Sequence, residues 1–286
     1  MWLAPGLFGD LLHEVFYEFM SGLIAEGRLP NYTRDLGPLL RILDERVQRY
    51  ARLHPPPTQF ALHRQIELLS QAARIFLVEE EELCRHSRPV FLEAAIATKS
   101  DFPSSPLSSD RPVRLKLPGG GSINAQARID RIDLTGSDSD PVYTIWDYKS
   151  GSTWKYERPD PFWQGRVIQH ALYLEVAAAI LKRKVSQKAE VSHSGFFFPG
   201  RAARGVRIRR WREQMSAAAK IIENLCKIAA KGCFLATNNY EEDCTFCDYL
   251  MICGDVKEVA AAAKRKLESA QNTILDPLRE LRNIGK

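Results

Sequence analysis

Two neighbouring apolar runs, each ending in acid, constrain this chain more than anything else in its 286 residues. Ile129-Asp130-Arg131-Ile132-Asp133 closes an extended stretch that begins near Ile123. Ile145-Trp146-Asp147-Tyr148-Lys149-Ser150-Gly151 closes a second, which begins at Val142 after a polar turn. The pattern reads as strand, turn, strand. Side chains two apart on a strand share a face, so Asp147 and Lys149 point together. If the strands pair, Asp130 meets Asp147 at one end of a sheet. Val142, Ile145 and Trp146 bury the second strand, and a buried acid or lysine needs a partner or a metal ion. Two carboxylates and a backbone carbonyl, here that of Tyr148, suit a hard divalent cation. Such an ion polarises a phosphodiester and acidifies bound water, and a lysine beside it offsets charge that develops during reaction.

Other segments supply a frame. Apolar residues recur at helical spacing over Leu7 to Ala25, Leu36 to Leu53 and Thr58 to Arg85, the last ending in an acidic run, Glu79 to Glu82, that reads as solvated. Val90 to Ile96 is strand-like with one acid inside it, Glu93. Thr98 to Arg111 is a polar loop, and Val113 to Leu117 turns through Gly119-Gly120-Gly121 into the first acid-bearing strand. Asp160 and Pro161 read as the cap and first turn of a helix reaching Arg183. Val191 to Phe198 is a further strand, Arg207 to Lys231 reads as helix, and helices from Val256 and Leu275 close the chain. Strands with helices between and around them predict an α/β fold, a mixed central sheet flanked by helices. We expect one domain over 1–286, with a helical insertion at 36–86, a cysteine cluster at 240–256 and terminal helices at 257–286.

The net charge of +5 permits a polyanionic partner without arguing for one. The densest basic run is Arg201, Arg204, Arg207, Arg209, Arg210 and Arg212, with Trp211 inside it. Placed at a strand-to-helix junction, Arg207, Arg209 and Arg210 track phosphates while Trp211 stacks on a base; a solvated turn is the plainer alternative. Trp154, Lys155 and Tyr156 follow Lys149 and are weaker candidates for a substrate channel. No phosphate-loop motif is present, so an ATP-driven motor would lie elsewhere. The longest apolar stretch, Ala171 to Leu181, is broken by Glu175 and is too short to span a bilayer. Met1 to Phe8 carries no basic residue and does not read as a signal peptide, so we expect a reducing cytoplasm and no membrane partner. There, Cys244, Cys247 and Cys253, spaced C-x2-C-x5-C, argue for metal rather than disulfide, with zinc and iron–sulfur both open.

The segment Ala127-Arg128-Ile129-Asp130-Arg131-Ile132-Asp133, followed by Asp147-Tyr148-Lys149-Ser150-Gly151, resembles the second and third motifs of the RecB-like branch of PD-(D/E)XK nucleases. That branch also carries a Gly-x-x-x-His helix, matched by Gly9 to His13, and a Gln-x-x-x-Tyr helix, matched by Gln169 to Tyr173. Ala127 stands where the branch usually has glycine. The resemblance implies a restriction-endonuclease-like fold and a Mg²⁺- or Mn²⁺-dependent deoxyribonuclease of DNA repair or recombination. It implies His13, Asp130, Asp147 and the Tyr148 carbonyl as metal ligands, Lys149 as the catalytic lysine, Gln169 and Tyr173 as supporting or DNA-contacting groups, and Glu93 as a supporting acid. The cysteine spacing resembles that of AddB-type helicase–nuclease proteins, which implies a 4Fe-4S iron–sulfur cluster, a helicase partner and single-stranded DNA ends as substrate. In that group the fourth cysteine precedes the early histidine, whereas Met1 to Leu12 contains none. This leads us to expect a start that is truncated or a ligand among Cys84, Cys226 and Cys233. The competing expectation is an inactive DNA-binding or scaffold protein that keeps the nuclease fold and a structural metal.

Overall fold

The acid-bearing strands form as the sequence predicts, and the rest of the sheet grows outward from them. The computed structural model describes residues 1–215, 217–237, 239–245 and 247–284. Its strands are β1 (Arg88–Ile96), β2 (Val113–Lys116), β3 (Ser122–Ala125), β4 (Ala127–Leu134), β5 (Val142–Tyr148), β6 (Glu190–Phe198) and β7 (Val206–Trp211). The helices are α1 (Pro5–Ala25), α2 (Tyr32–Leu53), α3 (Gln59–Leu83), α4 (Gln169–Lys184), α5 (Ala218–Ala230), α6 (Tyr240–Asp243), α7 (Val256–Glu268) and α8 (Asp276–Asn283). Five strands pair in the order β1-β4-β5-β6-β7, and β2 and β3 make a separate hairpin. All neighbours in the sheet run antiparallel except β5 and β6, which α4 connects in parallel. This is the mixed sheet flanked by helices that the sequence predicts.

Alternation sorts the sheet into two faces. Trp146, Tyr148 and Phe197 pack into one core with Phe16, Leu39 and Phe76 from α1, α2 and α3. On the opposite face Phe196 meets Tyr156 and His170, and Tyr156 is buried there. Gly195 is required here by space: a Cβ on it would lie 2.6 Å from the Trp146 ring.

Three local readings change. Residues Pro161 to Arg166 form turns, Val167 and Ile168 are irregular, and α4 begins only at Gln169. Trp163, Gln164 and Gly165 all have positive φ, which no helix accommodates. Val206 to Trp211 is strand β7 and not the start of a helix; Arg207 and Arg209 share one face of this edge strand and Arg210 takes the other. The acidic run ending α3 is solvated only in part, with Glu82 exposed. Glu80 is fully buried and pairs with Arg131 and Arg207, Glu79 pairs with Arg207, and Glu81 accepts from Asn31 and the Tyr32 amide.

By contacts the chain divides into two compact units, one of residues 1–115, 122–161 and 169–216, the other of residues 116–121, 162–168 and 217–286. The first holds the five-stranded sheet with α1 to α4. In the second, α5 packs on α8, and Arg166 makes a two-pronged bond to Asp243, both arms at 2.9 Å.

Candidate active site

The register of the sheet gathers the acids. β4 and β5 pair with Arg131 opposite Trp146, so Asp130 and Asp147 face each other one step beyond. β1 and β4 pair with Leu92 opposite Arg131 and Ala94 opposite Ile129, which sets Glu93 beside Asp130. Three carboxylates from three strands thus converge, all buried. Glu93 takes φ of 46°, a left-handed backbone unusual for a side-chain-bearing residue, so the chain is strained where its carboxylate enters the site.

His13 approaches from α1. Its Nε2 lies 3.2 Å from the Tyr148 carbonyl oxygen, and its Nδ1 lies 3.6 Å from both Glu93 Oε1 and Asp130 Oδ2. An Nε2–H donated to that carbonyl leaves Nδ1 with a free lone pair in the neutral ring. Nδ1 is buried with no hydrogen bond, although two acids face it. Those distances are long for hydrogen bonds and suit donors that converge on an ion. Among the described residues, His13, Glu93 and Asp130 are the one group of three whose ligand atoms lie within 4.8 Å of one another. The structure therefore brings Glu93, expected as a supporting acid, into the candidate ligand set itself.

Asp147 stands beside this set and is tied elsewhere. Lys149 pairs with it, and Gln169 Nε2 donates to Asp147 Oδ1 at 3.1 Å. The Tyr148 amide between them donates to Asp130 Oδ2 at 2.8 Å. Tyr173 lies a turn beyond Gln169, half-buried, and has no polar partner among the described residues. The Lys149 amide donates to the Phe197 carbonyl at 2.9 Å, so pairing with β6 continues through the lysine.

Electrostatics show what the site lacks. Burial alone would lower the His13 pKa, but Asp130 and Glu93 outweigh it and raise it to about 9. Burial, then repulsion from Asp130, pushes Asp147 up to about 6 against the pull of Lys149. Burial likewise raises Asp130, opposed by His13. For Lys149, burial favours the neutral amine, yet Asp147 more than restores the charge and the pKa is raised. Carboxylates that climb while the neighbouring imidazole holds its proton mark a pocket short of positive charge. The donor set fits a divalent metal ion.

One neighbour escaped the sequence reading: Arg128, whose Nε lies 3.8 Å from Glu93 Oε2 beside a cavity that His13 also lines. No local signal marks it, since its partner belongs to another strand. The expected DNA contacts fare unevenly. Arg207 is withdrawn from that role, because its side chain is 9% exposed, paired to Glu79 and Glu80, and stacked on Phe197 at 3.9 Å. Arg210 donates to the Tyr156 carbonyl. Arg209 lies over Trp146 at 5.5 Å, and Trp211, half-exposed, leans on His193.

In the second unit, Cys244 and Cys247 are half-buried and Cys253 is exposed. Asp243, immediately before them, is anchored by Arg166 and by the Thr237 hydroxyl. Two of the three candidates for a fourth ligand are otherwise engaged. The Cys84 thiol is buried against Glu80 and Arg131, and burial pushes its pKa up to about 12. The Cys233 thiol donates to the Ile274 carbonyl at 2.8 Å. Cys226 is exposed on α5.

A mixed sheet that presents acids from adjacent strands, a lysine two residues on and a histidine from a covering helix defines the restriction-endonuclease-like class of α/β proteins. The chain belongs to the PD-(D/E)XK nuclease superfamily, whose family model matches residues 3–254. Similar proteins include an ATP-dependent helicase/deoxyribonuclease subunit of Desulforudis audaxviator, 28% identical over 53% of this chain and 12% of that protein. Its namesakes from Alkaliphilus oremlandii and Symbiobacterium thermophilum are 25% identical over 66% of this chain and 32% identical over 49%. The matched stretches are only 16% and 11% of those two proteins. Superfamily membership gives the chain a nuclease-related role. Among its described residues, no helix is long and apolar enough to cross a membrane.

Proposed function

We propose that this chain is a Mg²⁺- or Mn²⁺-dependent deoxyribonuclease domain that hydrolyses phosphodiester bonds at single-stranded DNA ends, working with a helicase in cytoplasmic DNA repair or recombination. The observation that carries the reading is the convergence of His13, Glu93 and Asp130 beside the Asp147–Lys149 pair. His13, Glu93, Asp130 and Asp147, with the Tyr148 carbonyl, would hold the cation, which supplies Lewis-acid polarisation of a phosphate and a more acidic water. Lys149 keeps its charge because Asp147 faces it, so it can hydrogen-bond a phosphate oxygen or orient the attacking water. Gln169 fixes the Asp147 carboxylate through a donated hydrogen bond, and Tyr173 extends that helix face toward substrate. The helicase partner and the DNA substrate rest on the names of the similar proteins, and the preference for single-stranded ends on the motif resemblance alone.

Cleavage of labelled single- and double-stranded DNA with Mg²⁺ or Mn²⁺ tests this, comparing the native chain with Lys149→Ala. Native cleavage that the variant lacks is the expected result. Equal cleavage by both, or by neither, defeats the nuclease reading, and the second outcome instead favours an inactive DNA-binding scaffold.

For the cysteines we propose a 4Fe-4S cluster held at three corners by Cys244, Cys247 and Cys253, over the alternative of zinc. The described residues offer no fourth thiolate except through Cys226, so the fit is to three corners only. Iron and acid-labile sulfide in anaerobically purified protein, lost in Cys247→Ser, are expected; zinc without iron overturns this assignment.

A further inference from the structure

Of six arginines in the basic run from 201 to 212, four are already spoken for. Arg207 and Arg212 pair with acids, Arg210 donates to a carbonyl, and Arg209 lies over Trp146. Arg201 and Arg204 differ. Like Arg209, neither has an ion pair or a side-chain hydrogen bond among the described residues, but unlike Arg209 neither lies over a ring. They sit in the turn between β6 and β7 and line a cavity of about 520 Å³ together with Phe8, Leu68, Ser150 and Gly151. Ser150 and Gly151 directly follow Lys149, so this cavity is lined by the chain that leaves the candidate active site.

The turn is built to hold these side chains in place. Its backbone closes on itself, with the Arg204 amide donating to the Gly200 carbonyl at 2.8 Å and the Gly205 amide to Phe198 at 3.0 Å. Arg204 adopts φ of 51°, a costly conformation that a loop under no demand would give to glycine. Because β5 and β6 stay paired through the Lys149 amide, the turn is also fixed relative to the lysine. The cavity on the His13 side is a poorer place for an anion. Its Arg46 and Arg49 are paired to Glu14 and Glu18, and Asp10 and Asp101 also line it.

We infer that Arg201 and Arg204 bind the sugar–phosphate backbone of a DNA single strand on the lysine side of the scissile bond, with Phe8 and Leu68 as an apolar floor for a sugar or base. This rests on the proposed nuclease reading for the identity of its ligand. Unpaired guanidinium groups match phosphate geometry, and aromatic or aliphatic floors accept sugars and bases irrespective of sequence. The DNA contact thus moves from Arg207–Trp211 to the turn that precedes it.

The experiment measures binding without cleavage. Fluorescence anisotropy of a labelled single-stranded oligodeoxythymidine is followed across a salt series, with Ca²⁺ in place of Mg²⁺ and the oligonucleotide shown intact by gel. Each lost phosphate contact lowers the slope of log K against log salt by about 0.7 for a single strand, so Arg201→Gln/Arg204→Gln should lower it by about 1.4. At 0.1 M salt this corresponds to about 25-fold weaker binding. Arg209→Gln/Arg210→Gln should leave the slope in place. Failure of the native chain to bind, an unchanged slope in the 201/204 pair, or a loss confined to the 209/210 pair overturns the inference; circular dichroism confirms that each variant is folded. Binding that depends on Arg201 and Arg204 in a chain that cuts no DNA would sink the proposed activity and leave this site standing.

Discussion

Arg131→Met tests how the sheet is held beneath the acids. Arg131 is fully buried and surrounded by acceptors. Its Nε and Nη2 donate to Asp133 at 2.6 and 2.9 Å, Nη1 pairs with Glu80, and the same nitrogen lies 3.4 Å from the Tyr148 hydroxyl. Methionine matches the aliphatic stem but removes the charge. Glu80 would keep Arg207 at 2.9 Å, whereas Asp133 would keep only the Ser87 hydroxyl at 3.2 Å. One buried carboxylate is then left without a cation, and breaking such a pair costs about 3–5 kcal/mol. For a sheet unit of this size that is a fall in Tm of about 6–20 °C. The cost should shrink in acid. An unpaired buried carboxylate has a folded pKa above its unfolded value, so its penalty is absent well below the unfolded pKa and grows as pH rises. Urea unfolding at pH 7.5 and pH 5.5 checks both points. A loss below about 1 kcal/mol at pH 7.5, or one as large at pH 5.5, refutes the reasoning, because buried pairs that break cleanly do not behave so.

Other outcomes follow from the same geometry. Gly195→Ala should destabilise the protein by about 1–3 kcal/mol through overpacking against Trp146, measured by urea unfolding. Burial, helped by Arg209, lowers the His193 pKa to about 4 from an ordinary 6.5. A depressed pKa contributes stability above pH 6.5 that is lost as pH falls toward 4, about 2 kcal/mol by pH 5. The Tm of His193→Gln should therefore drop less than that of the native chain between pH 7 and pH 5. Glu93→Gln should weaken Mn²⁺ binding, read by calorimetry, by at least about tenfold, with little change in Tm. Unchanged Mn²⁺ affinity would return Glu93 to the supporting role first expected for it.

The site was largely legible because its signals are local. Asp147 and Lys149 lie two apart at the end of one strand, Asp130 lies in its neighbour, and Gln169 opens the helix that returns to Asp147 with a hydrogen bond. Glu93 was legible as a buried acid but not as a candidate ligand, since its neighbours His13 and Asp130 come from distant segments. The late start of α4 was hidden because Phe162 and Val167 continue an apolar spacing while the positive φ values at 163 to 165 leave no hydrophobic trace. Strand β7 was hidden by its arginines. Arg207, Arg209 and Arg210 crowd a short segment and look like a helix surface, and nothing local reveals that Arg207 is buried by acids from α3. Glu79, Glu80 and Glu81 looked solvated for the same reason, since their partners are equally distant in sequence.

Tyr148 gives its backbone to one task and its side chain to another. Its amide and carbonyl meet Asp130 and His13, while its ring packs against Phe16, Phe76 and Phe197. Side-chain replacement there would register as lost stability and leave the two backbone groups in place. The backbone share of what this residue contributes is thus invisible to alanine scanning. An amide-to-ester substitution between Asp147 and Tyr148 would expose the part carried by its N–H.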